Sequence, residues 1–311
     1  MMFEHANAAA MPALHTPPIR LAPRRLERSP ESRRTWLFGA GADGAMHEAM
    51  AASGADVLIH DLEDYTPPER RAEARALAPA LYQRWRDAGA LVCVRINPLE
   101  SVGYIDLKSV MHARPDIVAY PKAANAFQIR ALDVAVTTHE AALGIERGAI
   151  EILPVCETAL GVVNVREMAG ASARVRCALL GSEDLAADLG AYRTREAIEL
   201  DYARGRFLLE CRAAGIEPID ASYTFSDIAG AAEEARQARR LGYRTKGVLR
   251  PEHVNAVREA LVPTAQEIAQ AHKIVIAFEA ARKRGEDRTL VDGLWIDMST
   301  YMNARRLVQA S

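Results

Sequence analysis

The sequence predicts an α/β fold: a (β/α)8 TIM barrel followed by a C-terminal helical extension. Three observations carry this. From Thr35 on, short apolar runs alternate with longer stretches of helical composition. There are eight runs, at 35–38, 57–60, 91–96, 117–120, 152–156, 176–180, 218–221 and 246–249. They are apolar throughout, which suits strands buried on both faces of a parallel sheet. Eight β–α alternations favour a closed barrel over an open sheet. The seventh and eighth runs are the weakest, so a Rossmann-like open sheet is the runner-up.

Residues 1–33 are rich in Ala, Pro and Arg without periodicity, and read as a flexible N-terminal tail. They lack the apolar stretch of a secretory signal, and Glu4, Glu27 and Glu31 count against a transit peptide. The barrel spans 34–262. Its helices include 68–86, 126–143, 195–214 and 227–241, each starting near a helix-start signal and filled with Ala, Leu, Glu and Arg. After Pro251 the character changes. Residues 264–283 read as one long helix, 285–292 as a turn-rich stretch, and a short piece around 295–297 leads into a last helix. The segment 263–311 is too short for a domain and is expected to pack on the barrel or on a neighbouring subunit.

Composition excludes several classes. With 39 basic and 41 acidic residues, the chain is no general nucleic-acid binder. No run of 18 apolar residues is present, so no transmembrane helix is expected. At 311 residues a core forms without disulfides or a structural metal. Cys93, Cys156, Cys177 and Cys211 form no CxxC pair, and three of them lie in strand-like runs as small buried hydrophobes. This points to a reducing, cytoplasmic setting.

In such a barrel the C-terminal strand ends build the active site. Strand two ends in Asp61-Leu62-Glu63-Asp64, strand three in Arg95-Ile96-Asn97, and strand four in Pro121-Lys122. Strand five ends in Glu157-Thr158, strand six in Gly181-Ser182-Glu183-Asp184, and strand seven at Asp220. Six consecutive strands thus bring charge to one rim, although burying charge is costly unless it is paired or bound to metal. Each residue alone has a plainer reading: Asp64 or Asp184 as a helix N-cap, Lys122 as a solvated loop residue, Arg95 as the partner of Asp61. Together they suggest chemistry. Glu157 and Asp184 come from adjacent strands and suit one shared hard cation, and a few carboxylates with open positions is the habit of Mg²⁺. No HExxH, GxSxG or GxGxxG motif is present. The loop Gly39-Ala40-Gly41-Ala42-Asp43-Gly44 either cradles a phosphate at a helix N-terminus or simply makes a tight βα turn.

These residues resemble the citrate lyase β-subunit group of the HpcH/HpaI aldolase superfamily, which also holds malyl-CoA and citramalyl-CoA lyases. The resemblance runs from about Arg34 to Arg306. It rests on the stretch from Gly54 to Asp64, Val94-Arg95-Ile96-Asn97, Pro121-Lys122, the stretch from Glu157 to Val162, and the stretch from Leu180 to Gly190. It implies a TIM barrel, assembly as a homotrimer or hexamer, and Mg²⁺. It makes Glu157 and Asp184 direct metal ligands and gives Arg95 the substrate carboxylate. Asp61, Glu63 and Asp64 would hold metal-bound waters and orient Arg95. Lys122, Gly39 and Arg34 join as candidate substrate-binding residues. Gly293-Leu294-Trp295-Ile296-Asp297 resembles the segment that lends a neighbour its acid/base, so Asp297 is the candidate; its plainer reading is an N-cap of the last helix.

Two departures matter. The family's first loop has Pro-Gly and then a Lys for CoA phosphates, where this chain has Gly39-Ala40-Gly41 and His47. Its late Ile-His-Pro is Leu249-Arg250-Pro251 here. The metal site carries over; the CoA assignment carries over poorly. The implied activity is Mg²⁺-dependent cleavage or formation of a 3-acyl 2-hydroxy acid, a malyl-CoA- or citramalyl-CoA-like thioester, through a 2-oxo acid and an acyl-CoA. The alternatives are a CoA-independent 2-oxo-acid aldolase and a non-catalytic barrel subunit.

Overall fold

The computed structural model describes residues 28–310. The tail expected at 1–33 lies outside the described residues as far as position 27. Its last residue is firmly tied: the buried Arg33 guanidinium donates to both Glu151 carboxylate oxygens, at 2.6 and 2.9 Å.

The strands are β1 Thr35–Ala40, β2 Val57–Asp61, β3 Leu91–Arg95, β4 Ile117–Tyr120, β5 Glu151–Cys156, β6 Cys177–Leu180, β7 Glu217–Asp220 and β8 Thr245–Val248. All pair in parallel and in order, and β1 closes on β8 with Thr35 opposite Lys246. The sheet is therefore a closed barrel and the open-sheet alternative falls. The helices are α1 Gly44–Ala52, α2 Arg71–Asp87, α3 Gly103–Val110, α4 Ala126–Leu143, α5 Ala159–Ala169, α6 Glu183–Asp188, α7 Asp201–Ala214, α8 Ile228–Leu241, α9 Val254–Leu261, α10 Ala265–Lys283 and α11 Met298–Ala310. The helix expected from 195 starts only at Asp201, after a 3-10 turn at Ile198–Leu200. Among the described residues no helix is long and apolar enough to cross a membrane.

Strand parity decides what reaches the mouth, because successive side chains point to opposite faces. Trp36, Phe38, Val57, Ile59, Leu91, Cys93, Leu153, Val155, Cys177, Leu179 and Ile219 fill the barrel interior. Their neighbours, such as Leu37, Leu58, Val92 and Ala178, pack against the helix layer. Asp61, Arg95 and Glu157 continue the inward series at the C-terminal ends. Asp220 follows the inward Ile219 and faces outward, which corrects the expectation that strand seven brings charge to the rim. It accepts two hydrogen bonds from Arg204, at 2.9 and 2.8 Å, and one from Lys246 at 2.6 Å. Lys246 also donates to Glu234 at 2.7 Å. This buried network ties β7 and β8 to α7 and α8.

The C-terminal segment has a small core of its own, including Ile274, Phe278, Val291, Ile296 and Tyr301. Thr264 and Glu267 form a capping box at the start of α10. The stretch expected to be only turns holds half of an antiparallel hairpin, β9 Thr289–Val291 with β10 Leu294–Ile296. Asp292 and Gly293 make its turn with φ of 50° and 81°, the left-handed pair that two-residue hairpins use. Arg239 of α8 bonds Glu267 of α10 at 2.6 Å.

Candidate active site

Asp61, Arg95, Lys122, Glu157 and Asp184 come from the C-terminal ends of five successive strands, and the structure brings them together. Asp61 and Arg95 are register partners on β2 and β3. Arg95 Nε donates to Asp61 Oδ1 at 3.0 Å, and Nη2 donates to Oδ2. Asp61 also accepts from the backbone N–H of Glu63 at 2.8 Å and of Tyr65 at 3.3 Å. These bonds occupy the Asp61 carboxylate, so it fixes Arg95 and shapes its own loop. Together with the Nη1 bond to Glu157 they use three of the five guanidinium donors and leave two for a ligand. Nη1 sits 3.3 Å from Glu63 Oε2 and donates to Glu157 Oε1 at 3.4 Å.

Phe38 and Tyr65 were not anticipated. The Arg95 guanidinium carbon lies 5.3 Å from the Phe38 ring centroid and 5.2 Å from that of Tyr65. These cation–π contacts steady a desolvated cation. Parity would have found Phe38, an inward residue of β1; Tyr65 follows the acidic run directly and carried no comparable signal.

The loop after β2 is pinned from several sides. Asn97 Nδ2 donates to Leu62 O and to Asp106 Oδ2, both at 2.8 Å. Thr66 Oγ1 donates to Asp61 O at 2.5 Å and accepts from Gly41 N at 2.7 Å. Glu157 follows β5, and Gly181 follows β6. A Cβ on Gly181 would stand 2.5 Å from Glu157 Cγ, so this glycine clears the space the glutamate occupies. Asp184 lies in the first turn of α6.

Asp64, Glu157 and Asp184 each offer a carboxylate oxygen, all within 4.8 Å of one another. Asp64, expected only around metal-bound water, thus stands as close as the expected ligands. Glu157 is buried and its Oε2 has no hydrogen-bond partner among the described residues. A buried carboxylate oxygen without a donor is costly in isolation and satisfied by a cation. Burial pushes the Glu157 carboxyl up to about 8; the Arg95 guanidinium opposes this, and Asp184 and Glu63 reinforce it. An all-oxygen set of this kind fits a hard divalent cation. Burial likewise raises Glu63, against the pull of Arg95 and Lys122. Lys122 donates to Glu63 Oε1 at 2.6 Å and to Asp64 Oδ2 at 2.8 Å.

The mouth holds a small cavity of about 60 Å³, lined by residues that include Arg95, Glu157, Asp184, Ser222 and Thr224. That is room for a few polar atoms, since a water takes about 30 Å³. A larger cavity of about 400 Å³ lies at the opposite, N-terminal end, beside Arg176, Arg212 and Arg244. All three arginines are already paired with Glu151 or Glu217.

Three expected residues do not join the group. Arg34 precedes β1 at the far end of the barrel, where its carbonyl accepts from Lys246 N at 2.9 Å. Gly39 faces the helices: a Cβ there would meet Met50 Sδ at 2.1 Å. Asp297 is exposed in the extension and N-caps α11, accepting from Thr300 N at 2.8 Å. The loop after β1 is a tight turn, with Asp43 N donating to Ala40 O at 3.3 Å, and the Asp43 carboxylate caps α1 through Met46 N at 3.0 Å, placing a negative charge at that helix start. His47 is buried with Nε2 2.8 Å from Ala40 O, which leaves it unable to replace a phosphate-binding lysine.

Comparison with known proteins agrees with this geometry. Residues 34–251 match the family model HpcH/HpaI aldolase/citrate lyase. Citrate lyase subunit beta of Leuconostoc mesenteroides subsp. cremoris is 31% identical over 279 residues, 89% of this chain and 92% of that protein. The L-malyl-CoA/beta-methylmalyl-CoA lyase of Cereibacter sphaeroides (strain ATCC 17025) is 31% identical over 309 residues, 92% of this chain and 97% of the relative. The protein CitE from Mycobacterium tuberculosis, solved in complex with magnesium, acetoacetate and coenzyme A, superposes with a TM-score of 0.71 at 25% identity, covering 89% of this chain and 97% of that one. The chain therefore belongs to the HpcH/HpaI aldolase/citrate lyase family, and with it to the carbon–carbon lyases.

Proposed function

We propose that this barrel is an Mg²⁺-dependent lyase that breaks or forms the bond between a 2-oxo acid and an acyl-CoA, with a malyl-CoA- or citramalyl-CoA-like thioester as the joined form. The observation that carries the reading is the buried, unpartnered Oε2 of Glu157 beside Asp184, Asp64 and the Arg95 guanidinium. The kinship to a malyl-CoA lyase and to a protein solved with magnesium and coenzyme A supports it.

Glu157 and Asp184 would hold the ion, with Asp64 a third carboxylate within reach. Bound there, Mg²⁺ supplies Lewis acidity for a 2-oxo acid carbonyl and charge for its carboxylate. Arg95 offers its two remaining donors to that carboxylate, and Asp61, Phe38 and Tyr65 hold the guanidinium still. The small cavity, lined in part by Ser222 and Thr224, would seat the acid head. Asp297 of a neighbouring chain would exchange a proton with the enolate carbon. That role requires an oligomer, a homotrimer or hexamer in our reading. The exposed Leu290, Leu294, Trp295 and Met298 give the extension an apolar surface for such contact. We take 34–262 as the catalytic barrel and 263–311 as this extension. The buried free cysteines suit a cytoplasmic enzyme.

A second reading, a CoA-independent 2-oxo-acid aldolase, is favoured by the capped start of α1 and the buried His47. One experiment separates the two. Malyl-CoA, citramalyl-CoA and 4-hydroxy-2-oxo acids are offered with Mg²⁺ or EDTA, and glyoxylate or pyruvate is detected. Release from a thioester supports the proposal. Release only from the free acids assigns the second reading, and binding of pyruvate without turnover assigns a non-catalytic barrel.

A further inference from the structure

We propose that Lys122 is the resident cation of the acidic corner, and that a divalent ion binds by taking Asp64 and Asp184 away from it, so that this lysine sets the affinity of the metal site. The inference rests on the reading that this corner holds Mg²⁺.

The Lys122 ammonium lies 2.6 Å from Glu63 Oε1, 2.8 Å from Asp64 Oδ2 and 3.7 Å from Asp184 Oδ2. Two of these partners, Asp64 and Asp184, belong to the triplet whose oxygens converge within 4.8 Å. An ion seated among Asp64, Glu157 and Asp184 would compete for two of the carboxylates that hold the ammonium. It would also stand a few ångströms from a like charge, a repulsion that solvent and salt reduce because Lys122, Asp64 and Asp184 are partly exposed.

The backbone adds an independent observation. Lys122 is one of four non-glycine residues with positive φ among the described residues, at 47°. It sits directly after Pro121 at the end of β4, and a lysine is costly in the left-handed region. Such strain concentrates where a side chain is aimed for function.

Removing the competitor should tighten metal binding. If Lys122 instead arranged the carboxylates for the ion, removing it would loosen binding. Mn²⁺ is titrated into the full chain, with binding read by calorimetry and by the paramagnetic signal of the free ion. Lys122→Met is expected to bind about tenfold more tightly than wild type, with the gap shrinking at high salt, and Lys122→Arg to stay within about twofold of wild type.

Equal or weaker binding in Lys122→Met, with wild type binding normally, overturns the inference and leaves the metal site standing. Failure of both proteins to bind Mn²⁺ overturns the metal reading and this inference together. Should Lys122→Met not fold, labelling of wild type decides. The chain has five lysines, so acetylation maps cleanly. Lys122 is expected to react several-fold faster when Mn²⁺ is bound, with Lys273 as the exposed reference, and an unchanged ratio overturns the inference.

Discussion

Gly181→Ala is the sharpest test of how the metal corner is built. The added methyl would stand 2.5 Å from Glu157 Cγ and 3.3 Å from both Cβ and Cδ. Ordinary carbon contacts need about 3.5 Å or more, so the glutamate must retreat by about 1 Å. Arg95 Nη1 lies against Glu157 Oε1 at 3.4 Å, which limits where it can go. Metal ligation tolerates only about 0.2 Å, and disturbed supporting groups typically cost 10–100-fold in affinity, so Mn²⁺ binding should weaken by about that factor. Overpacking costs about 1–3 kcal/mol, of which a Gly→Ala change at ordinary φ returns roughly 0.4–1. Gly181 has no positive φ, so the variant should fold and melt only a few degrees lower. Gly44→Ala is the control, since a Cβ there meets nothing within 4 Å. Mn²⁺ titration and a thermal melt measure both variants. A folded Gly181→Ala with wild-type affinity would refute the claim that this glycine positions a metal ligand.

Four further outcomes are expected. Arg95→Lys should lower kcat/KM by about 100-fold or more while Mn²⁺ still binds, because a lysine cannot copy the fork that grips Asp61 and a carboxylate together; a loss under about threefold would count against the assignment. Asp297→Asn keeps the N-cap and should cut turnover by about 100-fold with metal binding intact; unchanged turnover removes Asp297 from the mechanism. Divalent-ion affinity should climb by up to about tenfold per pH unit as pH rises to about 8 and then level, since a proton must leave Glu157 first; a flat profile over that range would contradict this. Burial lowers His60 from 6.5 to about 4. The unfolded chain therefore takes up a proton that the folded one refuses as pH falls through that window. Stability should be full above about 6.5 and drop by up to roughly 3 kcal/mol towards 4; a melting temperature constant across the window would speak against it.

Much of this was legible in the sequence. All eight strands lie within one or two residues of their apolar runs, because a parallel barrel buries both faces and leaves a continuous signal. Asp61, Arg95 and Glu157 were legible as strand ends, but parity was needed to separate them from Asp220 and Gly39. Counting in twos from Ile219 turns Asp220 outward, and counting from Phe38 turns Gly39 towards α1. The hairpin was harder. Three-residue strands carry little periodicity, although Asp292-Gly293 is a two-residue turn signal. The ties of Lys122 to Glu63 and Asp64 were not legible, since they depend on a left-handed backbone that nothing local announces. The pairing of Gly181 with Glu157 depends on the register of β5 against β6, with Cys156 opposite Leu180, which the apolar runs do not fix.

In the proposed reaction one divalent ion, held by the carboxylates at the barrel mouth, drives cleavage of a thioester. The most direct measurement returns Mg²⁺ to metal-stripped wild type and to Glu157→Gln while glyoxylate or pyruvate released from malyl-CoA or citramalyl-CoA is followed. Wild type should recover activity with a half-saturation that matches its directly measured Mg²⁺ affinity, and Glu157→Gln should recover almost none. Cleavage that persists in EDTA, or that survives in Glu157→Gln, would contradict the account.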